Sequence, residues 1–373
     1  MRHAVAADHV FDGVTIHRHA AVVIEASRIV DVVPRAEVAG DARMLPDGAW
    51  LAPGFIDVQV NGGGDVLFND APTPEAILAI AAAHRRFGTT ALVPTLITDT
   101  PDKMGAALAA IEAADAPGVL GLHLEGPFIS PDRAGVHHPA HIRVPGREDT
   151  AALTAPRRGV LLVTLAPERV PPGFIAQLRA AGVRVALGHS MATYDQARAA
   201  MHDGLTGFTH LFNAMRPLAS RDPGPVAAAL ESPNVFVGLI VDGVHVHPAM
   251  LRLVLRGAAH PMLVTDAMPP VGGSRATFTL YGEEIAVSDG RCVRADGTLA
   301  GAFLDMATAV RNCVRMLGVP LTDALRFAST HPANFLGFGH QFGRLAAGYR
   351  ADMVAFMPDT IAVLDTWVAG HNS

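Results

Sequence analysis

Two cysteines in 373 residues, Cys292 and Cys313, are too few for a disulfide framework. A reducing, cytoplasmic setting is therefore the expectation. Positive charge is also scarce. Lys and Arg number 29 against 35 Asp and Glu, and the formal charge is -6 with a pI of about 6.3. No basic field exists to attract nucleic acid. No window reaches ~18 uncharged apolar residues, so no membrane span is expected. The opening MRHAVAADHVFDG lacks the continuous apolar core of a signal peptide. Neither an internal repeat nor a low-complexity linker interrupts the chain.

What is abundant is apolar residues and histidine. Half of the chain is hydrophobic, enough for a sizeable core, and there are 18 histidines. From residue 54 short apolar runs alternate with alanine-rich helical stretches, as in FIDVQV followed by TPEAILAIAAAHRRFG. About eight such units follow one another, the count of a (β/α)8 barrel. The expected fold class is α/β: a TIM-like barrel over 52–335 with a β-hairpin insertion near 277–299. Two helices are expected after the insertion, near 302–317 and 321–330. The β-like pieces in 1–51 and 336–373 are each too small to bury a core alone. They are expected to pair into one small β-sandwich.

Polar residues fall at the ends of these apolar runs. Gln59 and Asn61 end the first, Glu125 ends GLHLE, His189 ends VRVALGH and His210 ends GFTH; His245 follows GLIVDG and Asp266 ends MLVTD. A barrel builds its active site from strand ends on one rim. Each residue alone has a structural explanation: a hydrogen-bonded histidine, a turn cap at Glu125, a helix cap at Asp266. Six runs delivering such groups to one rim favour function. One carboxylate and two imidazoles suit zinc or another borderline divalent ion and leave a position open. Asp266, outside that set, suits a general base.

PGFIDVQVNGGG, LHLEGPF, LGHSMAT, THLFNAM, DGVHV and LVTDAM, in this order and spacing, resemble the N-acetylglucosamine-6-phosphate deacetylases of the amidohydrolase superfamily. The closing GRLAAGYRADMVAF resembles the strand that returns to the small β-domain in many amidohydrolases. The resemblance implies hydrolysis of N-acetylglucosamine 6-phosphate to glucosamine 6-phosphate and acetate. It makes Glu125, His189 and His210 the ligands of one divalent ion, zinc or iron. Asp266 becomes the base that activates the metal-held water and then protonates the amine. His137, in AGVHHP, would contact the acetamido carbonyl, and Asn213 and Ala214 the substrate. Arg221 and His245 would bind the phosphate, reaching in from a neighbouring subunit, which implies a homodimer or larger. His138 and His247 stand beside the favoured histidines as alternatives.

Two departures qualify the resemblance. Many amidohydrolases end the first strand in His-x-His, which holds a second metal. Here Gln59-x-Asn61 stands in its place, and amides are weaker ligands, so the pair reads as a vestigial second metal site. Asp57 reads as structural support. In LAGAFLDM, Ala302 and Phe303 replace the small polar residues expected there, which keeps an N-acetylgalactosamine 6-phosphate deacetylase in view. A different amidohydrolase and a non-catalytic homologue are the remaining alternatives. The phosphate pair argues against the first, and the complete set of Glu125, His189, His210 and Asp266 against the second.

Overall fold

The computed structural model describes residues 2–38, 40 and 42–372. Eight parallel strands form the central sheet: β1 (Phe55–Val60), β2 (Thr89–Ile97), β3 (Gly121–Glu125), β4 (Val160–Leu165), β5 (Arg184–Leu187), β6 (Gly207–Phe208), β7 (Phe236–Leu239) and β8 (His260–Leu263). Their spatial order follows their sequence order. The ring closes just beyond β8, where Val60 bridges Ala267 and the Asp266 amide donates to the Gln59 carbonyl at 3.0 Å. Every residue of β1, β2, β3 and β4 is buried. That explains the continuous apolar runs, since such strands are covered by helices outside and side chains within.

The helices start where the sequence signals them. Thr73 and Thr100 each precede a proline and accept from the amide three residues on, Ala76 and Lys103. Thr193 and Gln196 form a reciprocal capping box. Each such cap contributes about 1 kcal/mol. After the barrel strands, Met306–Leu317 buries Met306, Ala309, Val310, Cys313 and Leu317. Their three- and four-residue spacing makes one apolar face. Leu321–Ala328 follows, and a further short helix, Thr330–Leu336, extends beyond the two expected.

Both termini meet in one eight-stranded sheet. Trp50–Pro53 runs antiparallel to Met353–Met357 and parallel to the end of Arg2–Phe11, so the N- and C-terminal pieces are continuous in hydrogen bonding. Val5, Val22, Leu51, Met353 and Trp367 share one buried cluster on it. The insertion is larger than a hairpin. Thr277–Leu280, Glu283–Ser288, Arg291–Val293 and Leu299–Ala302 make a four-stranded antiparallel sheet whose Leu280, Ile285, Cys292 and Ala300 pack in one cluster with Leu67, Ile97, Val136 and Met268. Its last strand passes directly over the barrel mouth: the Ala302 amide donates to the Asp266 carbonyl at 2.9 Å and the Ala302 carbonyl accepts from Met268 at 3.1 Å. Among the described residues no helix is long and apolar enough to cross a membrane.

Candidate active site

The strand ends converge as the barrel rule requires. Glu125 closes β3, and His189 and His210 follow β5 and β6 by two residues each. His189, His210 and Asp266 all have positive φ, 49°, 31° and 51°. This left-handed backbone is uncommon for non-glycine residues and costs of order 1–3 kcal/mol each. It turns the chain sharply off each strand at the residue that faces the mouth. A cavity of about 260 Å³ lies there, lined by Asn61, Glu125, His137, His189, His210, Asn213, Ala214, His245 and Asp266 together with Thr298, Leu299 and Gly301 of the insertion.

Glu125 Oε1 lies 3.1 Å from His189 Nε2 and 2.9 Å from His210 Nε2, and the two nitrogens are 3.1 Å apart. One ligand atom from each falls within 4.8 Å of the others. His189 Nδ1 donates to the Arg133 carbonyl at 2.7 Å. A carbonyl only accepts, so Nδ1 carries a proton and Nε2 is the nitrogen turned inward, the one that would bind an ion on giving up any proton of its own. This is the outer hydrogen bond typical of metal-binding histidines. Burial works against charge on Glu125, yet the bonds to His189 and His210 hold its carboxyl well below the usual range. Burial likewise opposes charge on His210, and the Glu125 bond outweighs it and raises the imidazole. A buried anion facing two inward nitrogens is a donor set that fits a divalent ion.

Asp266 stands apart from this set. Burial, then the charge of Glu125, pushes its carboxyl up to about 6. Asn61 Nδ2 donates to Asp266 Oδ1 at 2.6 Å, and Gln59 Nε2 donates to the same oxygen at 3.1 Å and to both Glu125 oxygens at 3.3 Å. The two amides thus turn N–H groups, not lone pairs, towards the carboxylates. Gln59 lies beneath the cavity and does not line it. Asp57 is fully buried and pushed up to about 7 by burial. It accepts from Thr265 Oγ1 at 2.5 Å, which ties β1 to the segment after β8 and places it as closure of the ring.

His137 lines the cavity with its ring 4.2 Å from that of His189. The Thr98 amide donates to His137 Nδ1 at 3.3 Å, and Thr98 Oγ1 lies 2.7 Å from the same nitrogen. A backbone amide only donates, so Nδ1 accepts and the neutral ring carries its proton on Nε2. Burial, then the neighbouring His189, pushes His137 well below the usual imidazole range. Thr98 Oγ1 also reaches the Glu125 carbonyl at 3.2 Å. Gly126 makes room for it: at φ 86°, a Cβ there would lie 2.1 Å from Thr98 Oγ1. Gly126→Ala is expected to cost roughly 1–3 kcal/mol in chemical denaturation, and an unchanged midpoint would contradict this packing.

Asn213 and Ala214 sit on the turn after His210, and Asn213 Nδ2 donates back to the His210 carbonyl at 3.2 Å. His245 lines the cavity of its own chain, whereas Arg221 is exposed and does not. His138 and His247 are occupied as caps, each accepting through Nδ1 from an amide two residues on at 3.2 Å. Ala302 is buried behind Asp266, and Phe303 is 44% exposed on the outside, so neither lines the cavity. Thr298, Leu299 and Gly301 take that place. Sequence reasoning missed them and Thr98, because nothing in their residue types marks contact with a distant strand end.

The amidohydrolase family model matches residues 50–372. A curated N-acetylgalactosamine-6-phosphate deacetylase of Shewanella sp. (strain ANA-3) is 44% identical over 86% of this chain and 82% of its own. A curated N-acetylglucosamine-6-phosphate deacetylase of Haemophilus influenzae is 33% identical over 99% of both chains. The crystal structure of N-acetylglucosamine-6-phosphate deacetylase from Pasteurella multocida superposes with a TM-score of 0.95 at 32% identity, covering both chains completely. With the barrel, the Glu–His–His cluster and matches of this extent, the chain belongs to the amidohydrolase family.

Proposed function

We propose that this chain removes the acetyl group of N-acetylglucosamine 6-phosphate, giving glucosamine 6-phosphate and acetate. The observation that carries the reading is the Glu125–His189–His210 cluster facing Asp266 and His137 across one cavity, in a chain whose full-length relatives are named as deacetylases of amino-sugar 6-phosphates. Glu125, His189 and His210 would hold one divalent ion, zinc or iron by the softness of the donors. That ion, when bound, supplies Lewis acidity that polarises the amide oxygen and acidifies a water. The donor set supports a single ion, because the amides of Gln59 and Asn61 are weaker ligands than imidazoles and turn their nitrogens to the carboxylates.

The chain's own groups then divide the proton work. Ionised Asp266 accepts a proton from the water as its oxygen bonds to the carbonyl carbon. His137 Nε2–H donates to the oxygen on which negative charge develops. Asp266 returns the proton to the nitrogen as the C–N bond breaks, and the amine and acetate leave. Gln59 and Asn61 fix the Asp266 carboxylate through both transfers. His245 takes the phosphate from within the chain, and Arg221, exposed here, suits a second copy's cavity in a homodimer. Buried, unbridged Cys292 and Cys313 suit a reducing cytoplasm.

The galacto epimer is the second reading, favoured by the Shewanella relative at 44% identity. Acetate release by the metal-loaded protein tests both. N-acetylglucosamine 6-phosphate is expected to give the highest kcat/KM, with N-acetylgalactosamine 6-phosphate below it and unphosphorylated N-acetylglucosamine far below both. Preference for the epimer would move the substrate assignment. No release from any of the three would end it.

A further inference from the structure

His245 is the one imidazole of the cavity that the hydrolytic chemistry leaves unused. It sits on the loop after β7, where Ile240 and Val241 are buried and the chain then turns through Asp242 and Gly243. Asp242 Oδ1 accepts from the amides of Val244 and His245 at 2.8 and 2.9 Å. Its Oδ2 lies 2.6 Å from His245 Nδ1. The two side chains are 10% and 9% exposed. Burial opposes charge on Asp242, yet the hydrogen bond and charge of His245 hold its carboxyl below the usual range. A carboxylate only accepts, so His245 Nδ1 carries a proton.

This proton has a consequence for Nε2. A neutral His245 protonated on Nδ1 would offer a bare Nε2 lone pair, which repels an anionic oxygen. His245 can donate to a phosphate only as the imidazolium, with both nitrogens protonated. We propose that Asp242 is a positioning residue: it takes up the Nδ1 proton and fixes the ring, so that His245 meets a phosphate as a doubly protonated donor and the cavity selects a substrate carrying one. The inference rests on the deacetylase reading for the substrate. Asp242 itself is hydrogen-bonded to the loop amides and the imidazole and does not line the cavity.

A plain turn cap would show the same two amide bonds. Asp242→Asn separates the roles. Its Oδ1 can still accept both amides, but its NH2 group faces Nδ1, which must then accept, leaving His245 a neutral Nε2–H donor. Metal-loaded wild type and variant would be compared on N-acetylglucosamine 6-phosphate and N-acetylglucosamine, with calorimetric binding of inorganic phosphate alongside. Replacing a charged by a neutral hydrogen bond is expected to lower the ratio of kcat/KM between the phosphorylated and unphosphorylated sugars about tenfold. The loss should appear in KM, and inorganic phosphate should bind correspondingly less tightly. In a His245→Gln background the Asp242 change is expected to alter that ratio no further. An equal loss for both sugars, an unchanged ratio, or a further fall in the Gln background would overturn the proposal. If neither sugar is turned over but the variant still binds phosphate less tightly, the deacetylase reading fails and the anion subsite stands.

Discussion

Asp266→Asn is expected to lower kcat by roughly 10²–10⁴-fold, the range for loss of a general acid–base group, while the metal content of the protein stays at the wild-type level. The asparagine keeps the size of the side chain and can still meet Asn61, but it cannot take a proton from water. KM should change little, since the carboxylate acts on the reacting atoms and not on the sugar. The pH profile gives an independent check. The Asp266 carboxyl is raised to about 6 by burial and by Glu125, so below that pH it is protonated and cannot act as a base. Activity in kcat/KM should therefore fall with unit slope as pH drops through a value no higher than about 6, and a bound cation would pull it lower. A variant that kept near-normal kcat, or lost its metal along with its activity, would contradict the role.

Glu125→Gln should show the opposite pairing of effects. Glu125 supplies the only negative charge in the cluster, and its Oε1 is the atom both imidazoles approach. With a neutral amide there, the ion is expected to bind roughly 100-fold or more weakly, at or beyond the upper end of what outer-sphere changes cost. Activity at limiting metal should fall by roughly 10³-fold, as several kcal/mol of charge stabilisation at the transition state would demand. Excess Zn²⁺ should restore part of the activity in Glu125→Gln and none in Asp266→Asn. Metal analysis after gel filtration, beside acetate release with and without added Zn²⁺, separates the two. Equal metal content in Glu125→Gln and wild type would remove Glu125 from the ligand set.

Much of this arrangement was legible because it rests on short-range chemistry. FIDVQV reads as a strand buried on both faces, and Asp57 and Gln59 share its inner face because strand side chains alternate. Thr–Pro pairs mark helix starts at Thr73 and Thr100. The barrel rule then carries Glu125, His189, His210 and Asp266 to one rim without any knowledge of their contacts. What stayed hidden depends on distant parts of the chain. The left-handed backbone of His189, His210 and Asp266 is set by the tertiary frame and has no glycine to announce it. The insertion reads as a hairpin until its third and fourth strands pair, and only then do Thr298, Leu299 and Gly301 reach the cavity. Adjacent histidines are ambiguous in sequence. Hydrogen bonding tells them apart: His138 and His247 are spent on amides, whereas His137 and His245 face inward. Gln59 and Asn61 read as relics of a metal site, and the structure gives them present work as donors to Glu125 and Asp266.

The most direct test is a titration of the metal-free protein with Zn²⁺, and separately with Fe²⁺, following acetate release from N-acetylglucosamine 6-phosphate. One ion held by Glu125, His189 and His210 predicts no turnover without metal and a plateau at one equivalent per chain. A plateau reached only at two equivalents would return Gln59 and Asn61 to the ligand set, and turnover by the metal-free protein would contradict a metal-dependent site altogether.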